Sequence, residues 1–211
     1  MIPAIVLAAG ESSRMGSPKA ILRLRGGTFI SVICRRLADA SPGGLVVVLG
    51  AHAGEVIEAG LPAGVRVALN EAWAEGQISS LRCGIRALSP GAAGALVALV
   101  DHPLVEASTY AGMMAAAGAC PGMILVAEYR GTGGHPVVFP AAVFDEILSA
   151  PAGEGARWVV RRDPSRVRRI PFDDPGIAAD IDTPEEYMKA LAGRGADAGG
   201  KDGRGGRRFR G

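Results

Sequence analysis

Residues 2–19, IPAIVLAAGESSRMGSPK, set an apolar run directly ahead of a small, polar and basic turn. The run over 2–8 is continuous, not alternating, which suits a strand covered on both faces, as in a parallel sheet. Further runs of strand length fall at 45–49, 65–69, 95–100 and 123–127. Helical patterns separate them at 28–40, 53–59, 79–88 and 106–119. In the first of these, Phe29, Val32, Ile33, Arg36 and Leu37 recur at helical spacing. Strand and helix in alternation predict an α/β chain, a three-layer α/β/α sandwich of Rossmann-like type around a mostly parallel sheet.

After residue 130 the rhythm changes. Gly133 and Gly134 read as a turn and 136–139 as a strand that pairs locally, with an antiparallel arrangement left open. Helices at 141–148 and 154–161 and a short strand at 167–170 follow. The last helix opens with a capping box: Thr183 caps, Pro184 takes the first helical position and Glu186 reaches back. It is expected to run to about Ala192. Residues 1–193 therefore read as one domain and 194–211 as a disordered tail.

Charge supports that division. The net charge of +2 hides a tail with Arg194, Lys201, Arg204, Arg207, Arg208 and Arg210 against Asp197 and Asp202, so residues 1–193 carry a net −2. A glycine-rich basic tail without interleaved aromatics argues against a nucleic-acid partner. The 31 glycines follow no triplet period, which excludes collagen. Cys34, Cys83 and Cys120 are odd in number and widely spaced, supporting neither a disulfide framework nor a zinc site. No apolar run approaches the roughly twenty residues a membrane span needs. A cytoplasmic protein is expected.

Chemistry concentrates in a few stretches. In the turn over 7–19, small residues let backbone N–H groups approach a phosphate, and Arg14 and Lys19 supply two cations. Both the P-loop spacing and the dinucleotide fingerprint are absent, so a plain basic Gly/Ser turn is the competing reading. Asp101-His102-Pro103 follows the strand at 95–100, placing a hard carboxylate ligand at a strand's carboxyl end. Asp180 and Asp182 share one face of an extended segment, though acidic residues also favour helix N-termini by default. The polar stretch 70–82 after a strand is suited to gripping a base or ribose, against an ordinary role for Ser79 and Ser80 as helix caps. Gly133-Gly134-His135-Pro136 reads either as a binding turn or as a hairpin corner.

Taken together and in order, LAAGESSRMGSPK (7–19), the stretch 70–82, Asp101-His102-Pro103, GHPVVF (134–139) and DIDTPEEY (180–187) resemble the MobA-like nucleotidyltransferases. The likeness is greatest to the MocA-like branch, the molybdenum cofactor cytidylyltransferases. The motifs span residues 2–187. The resemblance implies a GT-A-like fold, CTP and Mg²⁺, with the terminal phosphate of molybdopterin cofactor attacking the α-phosphate of CTP and releasing pyrophosphate. It implies that Leu7, Ala8, Ala9 and Gly10 hold the base and ribose side, while Arg14 and Lys19 hold the triphosphate. It assigns Mg²⁺ to Asp101 and Asp182 with Asp180 assisting, base contacts to Ser79, Ser80, Leu81 and Arg82, and the pterin side to His102, Gly134, His135 and Pro136. Within the family LAAG accompanies cytidine enzymes and LAGG guanine enzymes, so Ala9 favours CTP. Two positions depart from the pattern: His102 stands where Gln or Met is usual, and Gln77 where Met is frequent.

Rival expectations change the acceptor, change the nucleotide to GTP, or make the protein a non-catalytic carrier that hands molybdenum cofactor to a xanthine dehydrogenase-type enzyme. A phosphate nucleophile is already anionic near neutral pH, so positioning and charge neutralisation suffice and no strong general base is expected.

Overall fold

Strand β1 (Ala4–Ala8) hydrogen-bonds along both edges in a computed structural model that describes residues 1–24, 26–41, 43–151 and 154–193. The tail over 194–211, expected to be disordered, lies outside the described residues. A two-residue hairpin, β2 (Arg23–Leu24) with β3 (Gly27–Thr28), precedes helix α1 (Phe29–Ala38). Then come β4 (Leu45–Leu49), α2 (Ala53–Glu58), β5 (Val65–Leu69), α3 (Gln77–Arg86), β6 (Gly94–Leu99) and α4 (Ala107–Ala119). The chain continues through β7 (Ile124–Tyr129), β8 (Thr132–Pro140), α5 (Phe144–Ser149), α6 (Arg157–Arg162), β9 (Val167–Pro171) and α7 (Pro184–Gly193).

The main sheet has seven strands in the order β5-β4-β1-β6-β8-β7-β9. Only β8 opposes its neighbours; it pairs antiparallel with both β6 and β7, while β9 runs parallel to β7. The sandwich is therefore three-layered and mostly parallel. One face packs Val6, Val47, Ala98 and Leu125 under α1 and α4, through Ile33, Leu37, Tyr110 and Met113. The other packs Ile5, Val48, Val97 and Phe139 under α3, α5 and α6, through Ile78, Leu81, Ile147 and Val159. Each such side chain is worth about 1.5–3 kcal/mol on burial, so this double-faced core fixes the register of β1, β4 and β6.

Expected coverage fails at β5. It forms the sheet's edge, and Val67 and Leu69 remain 37% and 60% exposed because β4 flanks them on one side only and α2 is only six residues long. The two-residue strands and several 3₁₀ turns carry too few residues for a periodic signal. Among the described residues, no helix is long and apolar enough to cross a membrane.

Local chemistry holds the loops above the sheet. Thr28 caps α1 by accepting from the Ser31 amide at 3.3 Å. Arg36, on the same helix, donates to the carbonyls of Pro103 and Val105 at 2.8 and 2.6 Å, pinning the loop that follows Asp101. The 3₁₀ turn Pro175–Ile177 wedges between this loop and β8. A Cβ on Gly176 would lie 2.5 Å from the Leu104 carbonyl carbon, and one on Gly134 would lie 2.0 Å from the Ile177 oxygen. Glycine at 134 thus makes room for backbone.

Candidate active site

The turn after β1 folds back on itself. Ser12 adopts a left-handed backbone (φ 56°), Gly16 does likewise (φ 66°), and the Ser12 hydroxyl accepts the Lys19 amide at 3.1 Å. A non-glycine residue in this region costs conformational energy, which the surrounding contacts must offset. His52 braces the loop from outside, with Nε2 2.8 Å from the Glu11 carbonyl and Nδ1 2.8 Å from Glu55 Oε1. Its pKa is raised, first by the hydrogen bond to Glu55 and then by that to Glu11. A Cβ on Gly10 would meet nothing within 4 Å, so the backbone there faces open space.

Lys19 is 9% exposed, and its ammonium pairs with Asp182 and stands 4.0 Å from Asp101 Oδ2. Arg14, far more exposed, pairs with the other oxygen of Asp182. The capping box of α7 holds this carboxylate in place: Glu186 accepts the amides of Asp182 and Thr183 at 2.8 and 2.9 Å, and Thr183 accepts that of Glu186 at 3.3 Å. The Lys19 hydrogen bond, then the further charge of Lys19 and Arg14, hold Asp182 below the usual carboxylate range. Burial pushes Asp101 the other way, against the pull of His102 and Lys19. Its Oδ1 is buried and has no hydrogen-bond partner among the described residues.

Two clefts meet at Asp101. The first, about 260 Å³, is lined by Leu7, Ala8, Ala9, Gly10, Arg14 and Lys19, faced by His52, Trp73, Gln77 and Ser80. The second, about 590 Å³, holds His102, Gly134, His135 and Asp180, with Arg157 and Arg169 on its wall. Leu7, Gly76, Gln77, Leu99 and Asp101 line both. Rings of His102 and His135 stand 5.4 Å apart, and burial, followed by the charge of His102, drives His135 down to about 3.

Not every predicted residue reaches these clefts. Of Ser79, Ser80, Leu81 and Arg82, only Ser80 lines the first, while Leu81 lines the second. Ser79 is a buried residue of α3, accepting from Asn70 at 2.8 Å, and Arg82 is turned away to the carbonyls of Ile147 and Ala150. Pro136 is buried in β8 beside the second cleft and does not line it. Conversely, His52 and Arg157 belong to the clefts but gave no local signal. His52 lies forty-one residues from the carbonyl that it braces.

The arrangement offers a turn with two cations suited to an anion, next to Asp101 at the cleft junction and to Asp182, which lines neither cleft but pairs with both cations. No cluster of three or more His, Cys, Asp or Glu residues forms a metal cage among the described residues. The unpartnered, buried oxygen of Asp101 is a hard donor, and with Asp182 it fits a Mg²⁺-type ion that takes its other ligands from water and phosphate.

A profile of the MobA-like NTP transferase domain matches residues 4–167. The chain is 31% identical over 199 residues to a protein named nicotine blue oxidoreductase from Paenarthrobacter nicotinovorans, covering 90% of this chain and 96% of that one. It is 31% identical over 184 residues to a molybdenum cofactor guanylyltransferase from Sinorhizobium fredii, covering 85% and 78%. The crystal structure of Rv0371c from Mycobacterium tuberculosis H37Rv superposes with a TM-score of 0.80 at 29% identity, covering 91% of this chain and 98% of that one. The same protein in complex with manganese gives a TM-score of 0.75 at 28% identity, covering 90% and 98%.

Proposed function

Because the chain belongs to the MobA-like NTP transferase family, we propose that it transfers CMP from CTP to the terminal phosphate of molybdenum cofactor. The observation that carries this reading is the meeting of Lys19 and Arg14, which line the first cleft and both pair with Asp182, with Asp101, where the two clefts join.

In this reading the nucleotide occupies the first cleft, with Leu7–Gly10 along its base and ribose and Ser80 across from them. Lys19 and Arg14 exchange Asp182 for triphosphate oxygens. A phosphate oxygen of the acceptor attacks the α-phosphorus, and the bond to the bridging oxygen breaks. Pyrophosphate leaves with that electron pair. Asp101 and Asp182 hold Mg²⁺, with Asp180 close by on the acceptor side. Mg²⁺ supplies charge neutralisation on the phosphates when bound. Lys19 works from a nearly water-free position, where a charge acts more strongly than at the surface.

Ala9, within LAAG, favours CTP over GTP. The acceptor lies in the second cleft beside His102, Gly134 and His135. The reaction belongs in the cytoplasm, and a xanthine dehydrogenase-type enzyme would receive the product. A nucleotide screen tests the reading: pyrophosphate should appear with CTP only when molybdenum cofactor and Mg²⁺ are present. Release with GTP and not CTP would overturn the cytidine assignment.

A further inference from the structure

We propose that His52 is a positioning residue for the nucleotide: donating from both ring nitrogens, it fixes the turn after β1 in the shape that receives the phosphates. The inference rests on the transferase reading for the placing of the nucleotide in the first cleft, and adds to it what holds that cleft in shape.

Two consecutive residues between β4 and α2 grip the turn. The Ala51 amide donates to the Ala9 carbonyl at 3.1 Å, and His52 Nε2 lies 2.8 Å from the Glu11 carbonyl. The backbones are close there, since a Cβ on Gly50 would lie 2.6 Å from the Ala9 oxygen. The carbonyls of residues 9 and 11 are thus held from outside, while the amides of Glu11 and Ser12 have no hydrogen-bond partner among the described residues. Gly10, Ser12 and Ser13 line the cleft itself. Ser12 keeps its left-handed backbone at a cost that contacts such as that of His52 must offset.

The partners define the state of the ring. Nδ1 is 2.8 Å from Glu55 Oε1, and a carboxylate and a carbonyl can only accept. Both contacts are hydrogen bonds only when both ring nitrogens carry hydrogen, which makes His52 an imidazolium. With both nitrogens engaged, the ring borders the cleft with no donor left for a ligand. The charged groups bearing on it are Glu55, in the first turn of α2, and Glu11, in the turn after β1. Arg14 and Lys19 line the same cleft but pair with Asp182. On losing one proton, the ring keeps the hydrogen that faces the carboxylate, because the charge-assisted bond is the stronger of the two. Nε2 then presents a lone pair to the Glu11 carbonyl, and the turn loses that anchor.

The test titrates the full-length protein with CTP and with GTP by calorimetry, in Mg²⁺ and without acceptor, at about pH 6 and about pH 8.5. It follows the triphosphate that wild type binds more tightly. At the lower pH, His52→Ala should weaken binding about fivefold or more, the loss expected for a charge-assisted hydrogen bond at a partly exposed position. At the higher pH wild type has shed the anchor itself, and the two should agree within about twofold. Glu55→Gln separates positioning from plain stability. It lets Nδ1 accept an amide N–H, so neutral His52 can keep its Nε2 hydrogen on the Glu11 carbonyl. This variant should bind within about twofold of wild type at the lower pH and about threefold or more tightly than wild type at the higher one. His52→Ala within about twofold of wild type at the lower pH overturns the inference. So does Glu55→Gln binding no tighter than wild type at the higher pH, or wild type binding neither triphosphate. Absence of pyrophosphate release with molybdenum cofactor would sink the transferase reading separately and leave these binding ratios standing.

Discussion

The Ile181 amide donates to the Asp101 carbonyl at 2.8 Å, stapling the acidic segment before α7 to the acidic loop after β6. Two carboxylates separated by eighty-one residues are thereby held on either side of Lys19 by backbone, independently of their own charges. Loss of either charge should therefore alter chemistry more than architecture.

Asp101→Asn removes a buried charge whose Oδ1 lacks a partner, so folding stability should not fall. Pyrophosphate release should drop about 10²–10³-fold, as for loss of one preorganised electrostatic group. Thermal unfolding and turnover measured on the same preparation check both halves. Unchanged turnover would remove Asp101 from the site.

Lys19 and Arg14 both pair with Asp182 but differ in exposure, at 11% and 66% of their side-chain surface. The buried cation is less screened and should matter more. Lys19→Met is expected to reduce kcat/KM at least about tenfold further than Arg14→Met, and high salt should weaken the Arg14 contribution first. Equal losses would argue against this ranking.

Asp174 is 3% exposed and accepts from the Glu106 amide at 2.8 Å, the Thr109 hydroxyl at 2.6 Å and the Gly176 amide at 2.9 Å. It caps α4 and the 3₁₀ turn beneath the acceptor cleft together. Asp174→Ala should destabilise the protein by about 2–4 kcal/mol, as the loss of a cap plus buried hydrogen bonds to a charged group. Urea denaturation measures this, and a change below about 1 kcal/mol would contradict the double capping role.

His52 carries a raised pKa, chiefly through Glu55, so its folded form binds a proton more tightly than the ordinary value of 6.5 implies. The stabilisation is complete below that ordinary value and disappears as pH rises through the folded one. The advantage of wild type over His52→Gln should shrink between about pH 6 and about pH 8. Denaturation series at both ends check the sign; an advantage growing with pH would reverse it.

The sheet was legible because its signals are local. The continuous apolar run at 45–49 and the Arg66-interrupted run at 65–69 match β4 and β5 to the residue, and the Thr183–Glu186 box starts α7 where its side chains require. What escaped depends on packing. Helical periodicity puts Ser79, Ser80, Leu81 and Arg82 on α3, yet the tertiary contacts of that helix decide which of them meets a cleft. Asp174 caps a helix from sixty-five residues beyond Thr109, and only the folded chain brings that donor and acceptor together. Gly133-Gly134 reads from sequence as a binding turn or a hairpin corner, whereas Gly134 lies within β8, paired with Ala127, and its missing Cβ makes way for the Ile177 carbonyl.

The reversed direction of β8 carries a consequence for how such a protein diversifies. The amino-terminal end of β8 supplies Gly133, Gly134 and His135 at the same rim where the parallel strands deliver their carboxyl ends. The two halves of the rim thus descend from separate stretches of gene, with residues 7–20 on one side and 126–169 forming much of the other. Exchange of the later stretch can re-tool one compartment while leaving the other intact, so lineages sharing the opening turn are free to part company over what they place opposite it.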